Sequence, residues 1–252
     1  MNEGDSIEDG LLSSGIAGLD DVLHGGFPRG HFFLVEGAPG AGKTTLALQF
    51  LMEGARNGER VFYVTLSESE KEIQKVARSH GWSLDNVTIY EFTPTEDSLR
   101  PEDQYSAFHP SDVEFHDTTQ TILKEVERAQ PTRVVFDSLS EIRLLAGDSL
   151  RYRRQVLALK HFFTNRSCTV ILLDDCVGPD RDQQLQTIAH GVLTLEKVPR
   201  EYGRTRRRMQ HPPSTWPFQR SASWRTESDR PARPRWEGRR DACQRDAADG
   251  GR

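Results

Sequence analysis

Residues 31–55 read HFFLVEGAPGAGKTTLALQFLMEGA: an apolar run, a glycine-rich turn ending in Lys43 and Thr44, then apolar residues recurring at helical spacing. The turn consists of Gly37, Ala38, Pro39, Gly40, Ala41, Gly42, Lys43, Thr44 and Thr45, which fits the phosphate-binding pattern of Gly, four residues, Gly, Lys and Thr. Each residue type has a physical reason to be there. Glycines let the backbone curl until successive N–H groups face a phosphate, and the helix that follows presents its positive end. Lys43 can then reach the β and γ phosphates while the Thr44 hydroxyl holds Mg²⁺. The preceding strand and following helix separate this stretch from a glycine-rich turn that binds nothing. The cofactors it implies are ATP and Mg²⁺.

Outward from the loop, short apolar runs alternate with amphipathic ones. Strands are expected at 31–36, 60–66, 87–92, 132–137, 169–174 and 191–196, and helices at 43–55, 69–80, 118–129 and 149–165. Nearly continuous apolar strands imply burial on both faces, so the fold class is α/β with a mainly parallel sheet flanked by helices, and the loop makes it a phosphate-loop nucleoside-triphosphatase (P-loop NTPase) core. Residues 93–116 lack helical period and contain Pro94, Pro101 and Pro110, which predicts a surface excursion.

Nucleotide chemistry needs two further carboxylates. One should stand at the end of a buried strand and hold the water shell of the metal; Asp137, closing Arg133-Val134-Val135-Phe136-Asp137, has that form. The alternative is a strand-end carboxylate that caps the next helix. The other should orient or deprotonate water beside the γ-phosphate, and Glu68 at the tip of the second strand is placed for it. Its competing reading is an acidic residue in a first helical turn, favoured there by the helix dipole.

Composition bounds the rest. The 252 residues carry a net charge of -5, and no uncharged apolar run approaches the roughly 20 residues that span a bilayer. The acidic opening MNEGDSIEDG does not read as a secretory signal, and Cys168, Cys176 and Cys243 are too few for a disulfide framework, so a cytoplasmic setting without membrane association is expected. The charge is split: residues 199–252 hold 14 Arg against 7 Asp and Glu, leaving -12 for residues 1–198. After Val198 there is no Leu, Ile or Val, a composition that cannot build a core and predicts disorder for 211–252. His109, Asp112, Glu114, His116 and Asp117 match no zinc or calcium spacing and read as a solvated acidic surface. The acidic core also argues against nucleic acid as a partner, despite the run Arg204 to Arg208.

Taken together the motifs resemble the KaiC-like (circadian clock) ATPases of the RecA superfamily. The resemblance rests on SGIAGLDDVLHGGFPRG at 14–30, more diagnostic than the loop itself, and continues through YVTLSE at 63–68, FHPSDVE at 108–114, VVFDSLSEIR at 134–143, ILLDD at 171–175 and AHGVLTLEKVPREYGRTRRRM at 189–209. It implies a RecA-like core that binds ATP and assembles as a homo-oligomer, usually a hexameric ring with nucleotide between subunits, and it suggests signalling or clock-type protein partners. Many relatives carry two such domains; this chain has one. The family pairs two acidic residues at the tip of the second strand, where this chain has Ser67 followed by Glu68.

A larger departure follows Met209. The family continues with a segment resembling Lys-Leu-Arg-Gly, whose basic side chain reaches the neighbour's γ-phosphate, and then with closing strands. Here the chain reads QHPPSTWPFQRSASWRTESDRPARPRWEGRR. The expected division is therefore an ATP-binding domain over 1–210, lacking those closing strands, and an Arg/Pro-rich tail over 211–252 produced by a change of reading frame near 209–211. Three functions stay open at this level: an interface ATPase using Lys43 and Glu68, an ATP-binding regulatory module without turnover, and a DNA-associated RecA-type ATPase.

Overall fold

The computed structural model describes residues 10–92, 110–175, 183–198 and 206–210. Nine strands and seven helices are formed among the described residues. The elements are β1 (Leu11–Leu12), α1 (Ala17–Val22), β2 (Phe27–Pro28), β3 (Phe32–Gly37), α2 (Lys43–Arg56), β4 (Val61–Thr65), α3 (Glu70–Ser79) and β5 (Thr88–Glu91). They continue with α4 (Pro110–Ala129), β6 (Arg133–Asp137), α5 (Leu139–Ala146), α6 (Ser149–Thr164), β7 (Thr169–Asp174), α7 (Gln183–Ile188), β8 (Gly191–Val198) and β9 (Arg206–Gln210).

The main sheet runs β5-β4-β6-β7-β3-β8-β9. Its first six strands are parallel, and β9 pairs antiparallel with β8. Every residue of β3, β4, β6 and β7 is buried, which is why these segments read as unbroken apolar runs. One face packs Leu46, Phe50 and Leu51 of α2 with Ile73 of α3 against Val35, Tyr63 and Val135. The other packs Ile122, Leu139, Tyr152, Val156 and Phe163 against Leu34, Val64, Phe136 and Leu172. This is the expected α/β architecture, a RecA-like core.

Several elements were not legible as periodic runs. The lead-in at 11–30 folds as the β1–β2 pair around α1 and drops Leu12, Ile16, Leu19, Leu23 and Phe27 onto the α2 face. The expectation of a surface excursion over 93–116 needs correction at its end, because α4 begins at Pro110. Proline suits the first helical position, since its missing N–H has no intrahelical partner there. Residues 93–109 and 211–252 lie outside the described residues, as do Cys176, Cys243, His109 and the side chains of Asp112, Glu114, His116 and Asp117. Cys168 is buried and free, and burial pushes its thiol up to about 12, so it is chemically quiet. Among the described residues no helix is long and apolar enough to cross a membrane.

In strand order β3 is the switch point. The chain leaves β3 for β4 across two intervening strands, while β8 lies on the other side. Ligands of open α/β sheets bind outside the carboxyl ends of the strands at such a point. The loop of 37–42 occupies that place.

Candidate nucleotide-binding site

The loop leaves β3 at the buried Gly37 and turns through the exposed Ala38, Pro39 and Gly40 before Ala41 returns to the core. Gly40 and Gly42 have φ of 71° and 105°, left-handed values that cost a side-chain-bearing residue energy and that glycine adopts freely. The Ala41 N–H donates to the Ala38 carbonyl at 3.0 Å and closes the turn. Gly42 then caps α2 with no side chain to occupy the helix start, where backbone N–H groups and the positive end of the helix favour an anion. Lys43 opens the helix, followed by the half-buried Thr44 and Thr45.

Lys43 is almost wholly buried, and its Nζ donates to the Gly37 carbonyl at 2.7 Å, the Ala38 carbonyl at 3.4 Å and Asp175 Oδ1 at 2.6 Å. The Thr44 hydroxyl donates to Asp137 Oδ2 at 3.2 Å, and the same oxygen accepts a short hydrogen bond from the Tyr63 hydroxyl. Parallel pairing of β4 with β6 sets Thr65 beside Asp137, so the chain beyond β4 emerges next to that carboxylate. There the Glu68 N–H donates to Thr65 Oγ1 at 3.0 Å and the Thr65 hydroxyl donates back to the Glu68 carbonyl at 2.6 Å. The structure thus brings Lys43, Thr44, Asp137 and Glu68 to one end of the sheet.

The electrostatics are those of a site short of positive charge. Glu68 Oε2 is buried with no hydrogen-bond partner among the described residues. Burial, then the charges of Asp137, Glu72 and Asp175, hold the Glu68 carboxyl above its ordinary value. Burial also raises Asp137, opposed by the hydrogen bonds from Tyr63 and Thr44 and by the Lys43 charge. Burial and the adjacent Asp137 push Tyr63 well above its usual range, so it remains a donor. Among the described residues no cluster of three or more His, Cys, Asp and Glu could hold a metal by itself. The hydroxyl of Thr44 and the carboxylate of Asp137 are hard oxygen donors of the kind a small cation such as Mg²⁺ takes, and they are the residues here that would hold it.

Four contacts escaped sequence reasoning. Tyr63 and Asp175 are described above; neither falls in the loop motif. Lys197 near the end of β8 donates to the Pro39 carbonyl at 2.8 Å. Asp174, buried at the end of β7, accepts from Arg143 at 2.9 Å and from Ser140 at 3.4 Å. The only signal for the last two carboxylates was the doubled Asp closing an apolar strand.

The family model described as "ATPase: KaiC" matches residues 12–212. The chain belongs to the KaiC ATPase family. It is 26% identical over 206 residues to a UPF0273 protein of Thermotoga maritima, covering 77% of this chain and 84% of that one. It is 34% identical over 198 residues to the circadian clock oscillator protein KaiC of a Picosynechococcus species, covering 74% of this chain but 35% of the relative. Among solved structures, a KaiC-like protein of the archaeon Pyrococcus horikoshii superposes with a TM-score of 0.67 at 25% identity, covering 85% of this chain and 92% of that one. Membership in the KaiC family implies a nucleotide-binding core.

Proposed function

We propose that this KaiC family member is a Mg²⁺-dependent ATPase that converts ATP to ADP and phosphate at the subunit interfaces of an oligomeric ring. The observation that carries the reading is the half-buried Glu68, whose Oε2 is buried with no hydrogen-bond partner among the described residues, near Asp137 and at the same end of the sheet as a complete phosphate loop. A carboxylate held above its ordinary value and lacking a donor suits a residue that takes a proton from water.

In this reading the N–H groups from Gly40 to Thr45 cradle the phosphates. Lys43 neutralises charge on the β and γ phosphates, and Thr44 with the water-bridged Asp137 would hold Mg²⁺. When bound, the cation would neutralise negative charge on the phosphates as the reaction proceeds. Glu68 orients a water on the γ-phosphorus and accepts its proton as the bond to the ADP oxygen breaks. Tyr63 fixes the Asp137 carboxylate so that it faces Thr44. The ring assembly and protein partners rest on the family resemblance alone.

A second reading, an ATP-binding module without turnover, is favoured by Ser67 in place of the first paired acid and by the sequence after Met209. Absence of an in-trans basic side chain would reduce turnover by about a thousandfold or more. Phosphate release by the wild type and by Glu68→Gln separates the two. The ATPase reading expects release by the wild type, its loss in the variant, and nucleotide binding by both. The binding-module reading expects binding by both and release by neither.

A further inference from the structure

We infer that Asp175 is a discriminating latch on the phosphate loop: it holds Lys43 when no triphosphate is bound and lowers affinity for ATP more than for ADP. This inference rests on the nucleotide-binding reading above and deepens it. Lys43 has three N–H donors, and all three are engaged, by Gly37, Ala38 and Asp175. The first two acceptors are carbonyls of the loop itself. The third, at 2.6 Å, is a carboxylate just beyond the end of β7 rather than in the loop, and it is 38% exposed. A γ-phosphate oxygen that bonds Lys43 competes for that third donor.

Asp175 is positioned for this contact by its neighbours. Its N–H donates to Ser140 Oγ at 3.4 Å, and the preceding Asp174 is tied to Arg143 and to the same Ser140 hydroxyl. Asp174 thus has its own cation, which leaves Lys43 to Asp175. Two oxygens on one ammonium lie within about 6 Å of each other, the sum of two ordinary hydrogen-bond lengths. That is inside the screening length of about 8 Å at physiological salt. A carboxylate there repels the γ-phosphate, and Glu68 and Asp137 add charge of the same sign nearby. ADP, without the γ-phosphate, meets less of this repulsion.

Equilibrium binding of ADP and of a non-hydrolysable β,γ-imido analogue of ATP to the full chain tests the inference. Asp175→Asn keeps the shape and removes the charge; Asp175→Ser removes both and serves as the second variant should the first fold poorly. The expected result is about tenfold tighter binding of the ATP analogue by both variants and threefold or less for ADP, with Asp175→Glu close to the wild type. Unchanged or weaker analogue binding, or equal tightening of both nucleotides, overturns the latch while leaving the nucleotide-binding reading intact. A wild type that binds neither nucleotide, like Lys43→Ala, overturns that reading and the latch with it.

Discussion

Glu68 and Asp137 differ in the company they keep, and that difference sets their chemistry. Asp137 accepts from Tyr63 and Thr44, whereas Glu68 Oε2 accepts from nothing among the described residues. Glu68→Gln is expected to lower turnover by about 10²–10⁴, the range typical of a lost general base, with nucleotide affinity retained. If Glu68 is the general base it works as the carboxylate, and since its pKa is raised, turnover should rise with pH through a midpoint above the ordinary carboxylate range, a limb that Glu68→Gln removes. Tyr63→Phe leaves a buried carboxylate with one donor fewer. It is expected to cost about 1–3 kcal/mol of stability in denaturant unfolding. None of this depended on reading Tyr63 from the sequence, where it is one more apolar-looking residue in an apolar strand.

At the scale of elements, β3 and α2 were legible because a local motif and two local periods agree there. The same holds for α3, whose Ser69 and Glu72 form a capping box at the start expected from sequence. What was not legible depends on distant partners. The lead-in at 11–30 has no strong period, and it is held by Arg133, which donates to the Ser13 carbonyl at 2.7 Å and to the Phe50 carbonyl at 2.9 Å. Arg133 also pairs with both oxygens of Glu59, at 2.7 and 3.1 Å. Burial raises the Glu59 carboxyl, but the hydrogen bond and charge of Arg133, with Thr132 and Arg29, hold it below its usual range. A Cβ at Gly54, inside α2, would lie 2.6 Å from Arg133 Cδ and Nε. Gly54→Ala, a change that stabilises most helix interiors, is therefore expected to destabilise here by about 1–3 kcal/mol, as overpacking does. A thermal or denaturant melt checks the sign. The short helix α5 and the strand β9 were missed for the same reason: their formation follows from packing on α6 and pairing with β8 rather than from local period.

Over the whole molecule the charge and pH response follow from where the titratable groups are buried. His190 accepts the Phe32 N–H through Nδ1, and burial, with Lys160 and His31 nearby, lowers it to about 4. The unfolded chain, with His near its ordinary value of about 6.5, then binds more protons than the folded chain between roughly pH 4 and 6.5. Stability should be full above that window and fall by about 1–2 kcal/mol as pH drops through it, after allowance for the partial exposure of the ring. Glu59, depressed when folded, adds a further loss below its unfolded value. Glu68 and Asp137, raised in the folded chain, act in the opposite sense over the same range. The His190 contribution is therefore read as the difference between wild-type and His190→Asn unfolding free energies from pH 7 to pH 4: the wild type should lose about 1–2 kcal/mol relative to the variant as pH falls. Turnover at subunit interfaces, as proposed, would be a property of the assembly rather than of one chain. ATP turnover measured across a range of protein concentrations, with Lys43→Ala as control, tests it most directly. Turnover that vanishes in the control and rises faster than linearly with protein is expected of an interface ATPase; turnover no greater than the control at every concentration would contradict that function.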